Sequence, residues 1–89
     1  MNGYQIVHDK RYDAELEVLF GNLKRADELI RAIEAVLLTR PQDGHHIIDR
    51  IWFLEDTDGC CGGVRIFYTF TTGTAPTARK VLLLSIVRI

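Results

Sequence analysis

Eighty-nine residues, 47% hydrophobic and 26% charged, bound the chain to a single domain, 1–89, with room for one layered core and a shallow site. That apolar content excludes intrinsic disorder, and two cysteines exclude a disulfide scaffold. A formal net charge of −1 leaves no basic excess to advertise a phosphate-binding surface.

The opening segment Tyr4–His8 alternates weakly and reads as a short strand. Its flank, MNGYQIVHDKRYD, carries charges where a leader peptide needs apolar residues. Elsewhere no apolar run approaches the ~18–20 residues of a membrane span. These features predict a cytoplasmic protein in a reducing compartment, with no membrane partner.

Asp9 is placed to cap a helix. From Lys10, the residues Tyr12, Leu16, Leu19 and Phe20 form one apolar stripe, and Gly21-Asn22 stops it. A second helix follows, with Leu23, Ala26, Leu29, Ile30, Ile33, Val36 and Leu37 keeping the 3.6-residue period up to Pro41. The short connection predicts an antiparallel hairpin of helices.

After Pro41 the period becomes two. Ile51–Leu54 reads as a strand, with Ile51 and Phe53 on one face and Arg50, Trp52 and Leu54 on the other. Glu55-Asp56-Thr57-Asp58-Gly59 reads as a turn. Val64–Phe70 is a strand with Val64, Ile66, Tyr68 and Phe70 on one face and Arg65, Phe67 and Thr69 on the other. Thr71–Thr77 turns again. Val81–Ile89 is nearly all apolar, as expected of a strand covered on both faces. Its even-numbered face would carry Leu82, Leu84, Ile86 and Arg88. The expected fold is α+β in the order β-α-α-β-β-β, with the helical hairpin on one face of a mainly antiparallel four-stranded sheet.

Arg65 and Arg88 each interrupt an apolar strand. Two guanidiniums on an open sheet face could clamp a phosphate; the alternative is that they are solvated or paired with Asp49 or Glu55. Whether they meet depends on strand register. His45-His46 lacks any surrounding ligand set, so these histidines read as solvated loop residues rather than as a metal or acid–base site. Cys60 and Cys61 sit among glycines and acids, a poor setting for a reactive thiol. No metal or cofactor is expected. Tyr68 is expected in the core, and Trp52 could stack on a base.

Taken end to end, this order resembles the RelE/ParE superfamily of toxins from type II toxin–antitoxin pairs. The resemblance rests on the helical hairpin closed by Leu37-Leu38-Thr39-Arg40-Pro41 and on the strand Ile51-Trp52-Phe53-Leu54. It rests also on Gly63-Val64-Arg65-Ile66-Phe67-Tyr68, which looks like the family's G-x-R-hydrophobic-x-Y strand, and on the apolar last strand ending in Arg88. It implies a metal-independent, ribosome-dependent mRNA endonuclease. Arg65 would contact the scissile phosphate, Arg88 would stabilise developing charge, and Arg50 and Trp52 would contact RNA. The ribose 2′-OH would be the nucleophile. The family's ParE-like branch instead poisons DNA gyrase without cutting RNA. A third alternative is a degenerate toxin that keeps only its antitoxin. The partner implied in every case is a cognate antitoxin peptide, which would cover apolar surface.

Overall fold

The computed structural model describes residues 4–21, 24–56, 63–71 and 79–89. Among them the order is strand β1 (Gln5–His8), helix α1 (Lys10–Phe20), helix α2 (Lys24–Thr39), a 3-10 turn (Pro41–Asp43), and strands β2 (His45–Ile48), β3 (Ile51–Asp56), β4 (Val64–Thr71) and β5 (Lys80–Arg88). The strands form one mixed sheet in the order β1-β5-β4-β3-β2. β1 runs parallel to β5, and the other three pairings are antiparallel.

The α+β class and the two helices agree with the expectation from sequence, but the sheet has five strands rather than four. The extra strand is the segment His45–Ile48, expected to be a loop. It is exposed along its length and so carries no burial pattern to betray it. It forms because a tight turn at Asp49-Arg50 folds it back on β3. Asp49 takes φ 51, a left-handed conformation that a short polar side chain tolerates.

Asp9 caps α1 as its position suggested, accepting the Arg11 N–H at 2.9 Å, and Gly21 closes the helix at φ 59. Tyr12 and Phe20 of α1 join Ile30, Ile33 and Leu37 of α2 over Val64, Ile66, Tyr68, Val81, Leu83 and Ile86 of the sheet. Both helices thus serve one face. The side chains of Leu23, Ala26 and Leu29, expected in the α2 stripe, lie outside the described residues.

Pro41 is buried, and its carbonyl accepts the Tyr68 hydroxyl at 2.5 Å. This bond ties the end of the helical region to the middle of β4. Burial raises the Tyr68 phenol to about 12, with nearby Asp43 adding to the rise and a hydrogen bond at Gly44 opposing it. Gly44 packs so closely here that an added Cβ would lie 2.0 Å from the Tyr68 hydroxyl oxygen. His8 joins β1 to both helices: its Nδ1 lies 2.9 Å from Asp13 and its Nε2 3.3 Å from Glu34. Beneath it Tyr12 is wholly buried, and its hydroxyl has no hydrogen-bond partner among the described residues. Burial, reinforced by Glu34 and Asp13, pushes that phenol far up.

Two further expectations are corrected. Strand β3 continues through Glu55 and Asp56, which were expected in a turn, because Glu55 pairs across the ladder with Arg65. β5 is covered by the helices on one face only. A register shift between Phe67 and Tyr68 places Tyr68 opposite Leu83 and Phe67 opposite Ser85, which leaves Leu84 as an extra residue. The bulge reverses the alternation of β5. Val81 and Leu83 face the core before it, and Ile86 faces the core after it. The expected common face of Leu82, Leu84, Ile86 and Arg88 therefore does not exist.

Candidate functional site

The bulge decides where the two strand arginines go. Arg65 is opposite Val87, and Arg88 is opposite Val64. Val64 is wholly buried on the helix-covered face, so Arg88 rises from that face at its rim. It donates to the Leu19 carbonyl at 3.3 Å and lies 5.8 Å from the centre of the Phe20 ring. It thus satisfies a carbonyl in the last turn of α1, where positive charge suits the helix dipole.

Arg65 rises from the opposite, open face. Its Nε donates to Glu55 Oε2 at 2.7 Å, and Nη2 donates to the same oxygen. The guanidinium also lies over Phe53, 4.7 Å from the ring centre. The pair is half-buried. Of the two sequence alternatives for Arg65, a free phosphate clamp or a carboxylate partner, the geometry realises the Glu55 pair.

The remaining expected contacts also scatter. Arg50 sits exposed in the turn between β2 and β3. Trp52 pairs with Tyr68 on the helix side and packs against Phe70 at 5.2 Å and against His46 at 5.0 Å. Arg65, Arg88, Arg50 and Trp52 therefore do not converge. His45 stacks on Phe53 at 5.0 Å on the open face, and His46 contacts the Asp49 carbonyl at 2.6 Å. Among the described residues, no group of histidine, cysteine and carboxylate side chains could hold a metal ion. Cys60 and Cys61 lie outside the described residues. No described helix is long and apolar enough to cross a membrane.

What the structure does build is a groove. β1 pairs only with Lys80–Leu83, and the second half of β5 runs beside α1 instead. Between them lies an apolar groove of about 350 Å³, lined by Ala14, Val18, Leu19, Ile86 and Val87, with Glu15 and Arg88 supplying one charge of each sign. Val18 is 85% exposed here. The sequence held one sign of this site: Val18 lies next to the apolar stripe of α1 but off it.

No family model, curated protein or solved structure matches this chain.

Proposed function

We propose that this chain is a RelE/ParE-like, toxin-class domain that works through protein contacts and does not cut RNA. The single observation that carries this reading is the division of the two arginines. Without a metal, a phosphoryl-transfer site relies on cationic and hydrogen-bonding groups aimed together at the oxygens where charge develops. Here one guanidinium is held by Glu55 on the open face, and the other caps α1 on the far side of the sheet. The α1–β5 groove supplies the complementary half of the reading. An antitoxin peptide laid along it would cover Val18 and Val87 and meet both Glu15 and Arg88. Of the family's activities, this favours a gyrase-type poison or a domain that retains only antitoxin binding over the ribosome-dependent endonuclease.

Induced expression followed by mapping of messenger 5′ ends tests the reading. Intact messenger is the expected result, with or without growth arrest. Arrest would select the gyrase-type activity, and its absence would select antitoxin binding alone. New cleavage sites in translated messenger that disappear with Arg65→Ala would overturn it.

A further inference from the structure

The sheet edge beside α1 is left open. β1 pairs with β5 only as far as Leu83, where the Asp9 N–H donates to the Leu83 carbonyl at 2.9 Å. There the chain leaves the sheet and becomes α1. Farther along β5, the Ile89 N–H donates to the Gly63 carbonyl at 2.9 Å, so Ile89 turns its N–H towards the β4 side. Successive residues of a strand turn their backbone N–H and C=O groups to opposite edges. Val87 therefore also faces β4, whereas Ile86 and Arg88 turn their backbone groups to the edge that β1 has left. Among the described residues no strand pairs with that edge beyond Leu83. Ile86 is only 1% exposed, so water scarcely satisfies its edge groups in place of a strand.

We infer that the α1–β5 groove takes its peptide as a sixth strand, in line with β1 and hydrogen-bonded to the backbone of Ile86 and Arg88. The inference rests on the reading of this groove as a peptide site and adds the form the peptide takes there. The unpaired backbone selects that form. The edge offers N–H donors and C=O acceptors in alternation, and an extended chain presents the matching row. A helical peptide has its own backbone groups bonded internally and would leave those of Ile86 and Arg88 without partners. The walls of the groove suit a strand as well. Side chains of a strand point alternately to its two faces. One set would rest on Ala14 and Val18 of α1, and the other would lie beside Val87 at the margin of the open face. The partner is therefore a segment with an apolar residue at every second position and no proline where its N–H must donate.

Calorimetric titration of the full chain with the end-blocked peptide Lys-Thr-Val-Thr-Val-Thr-Lys tests it. This sequence reads the same in both directions, so it fits either strand polarity. Two further peptides carry N-methyl groups, one on both valines and one on all three threonines. In a strand these two sets of N–H groups face opposite edges. The parent peptide should bind with Kd below about 1 mM. One methylated peptide should lose at least tenfold in affinity, and the other should bind as the parent does. Val18→Asp should weaken the parent at least tenfold. Bound peptide should slow amide exchange at Ile86 and Arg88 at least tenfold and leave Val87 and Ile89 unchanged. Equal binding by both methylated peptides would overturn the inference, as would no binding of the parent. A stapled amphipathic helix of Ala, Leu, Glu and Lys separates the two claims. If only the helix binds, and Val18→Asp weakens it, the groove remains a peptide site and the strand form falls. If neither peptide binds, both fall. A dimer of the free chain that the strand peptide dissociates would assign the edge to a second copy instead.

Discussion

Arg65 and Arg88 stand on opposite faces of the sheet, although they belong to neighbouring rungs of the same antiparallel pair. One bulged residue in β5 is responsible. Without Leu84 as the extra residue, strict alternation would leave Ile86 and Arg88 on the side now held by Leu82 and Val87. The structure has given each arginine a local partner instead, Glu55 for one and the Leu19 carbonyl for the other.

Arg65→Ala should therefore behave as a structural substitution. It removes an ion pair that is half-exposed and leaves Glu55 without its donor, a cost of about 1 kcal/mol. Urea unfolding should show that loss, and Glu55→Gln should show a smaller one. Any effect of the chain on growth should follow the amount of folded protein, with no separate loss of activity.

The groove between α1 and β5 predicts a different separation of effects. Val18 is almost fully exposed, so Val18→Asp should change stability by no more than about 0.5 kcal/mol. It should weaken binding of an antitoxin peptide at least tenfold, measured by calorimetric titration. Arg88→Ala should weaken binding too, and should also cost about 0.5–1 kcal/mol of stability through the lost contact with the end of α1.

Much of this architecture was legible beforehand. Asp9, Gly21 and Pro41 punctuate the helices, and they do so by local chemistry that needs no tertiary context: a cap, a left-handed glycine and a missing N–H. Val64, Ile66 and Tyr68 keep strict alternation and lie in the core as their spacing required. What stayed hidden depended on pairing. His45–Ile48 has no apolar face and becomes a strand only because β3 offers it a ladder. The bulge at Leu84 sits in a run of leucines, where either parity looks equally apolar. For the same reason the placement of Arg88 could not be read from its strand alone.

The link between Tyr68 and Pro41 should be costly to break. Tyr68→Phe removes a buried hydrogen bond and leaves the Pro41 carbonyl without that donor, a loss of about 1–2 kcal/mol. Gly44→Ala should cost more, about 2–3 kcal/mol, because the new methyl group meets the Tyr68 hydroxyl and the Phe53 carbonyl. Thermal unfolding of the two variants should rank them in that order.

The same tyrosine sets a limit at alkaline pH. In the unfolded chain a phenol ionises near pH 10, whereas Tyr68 in the folded protein holds its proton to about 12. Between those values the unfolded state binds fewer protons, so stability falls as pH rises and the loss levels off above the folded value. Tyr12 shifts in the same direction and extends the decline. Neither group contributes any pH dependence near neutrality. Urea titrations between pH 9 and 12 should show stability dropping with pH, and Tyr68→Phe should reduce that slope by about 2–3 kcal/mol over the interval.

The most direct test of the account is in vitro cleavage of a defined messenger on a programmed ribosome, with purified chain added in excess over ribosomes. Full-length messenger is expected, because Arg65 and Arg88 stand on opposite faces of the sheet and cannot meet on one phosphate, and the same result is expected for Arg65→Ala and Arg88→Ala. Cleavage within the ribosomal decoding site by the unmodified chain, lost in both variants, would contradict it.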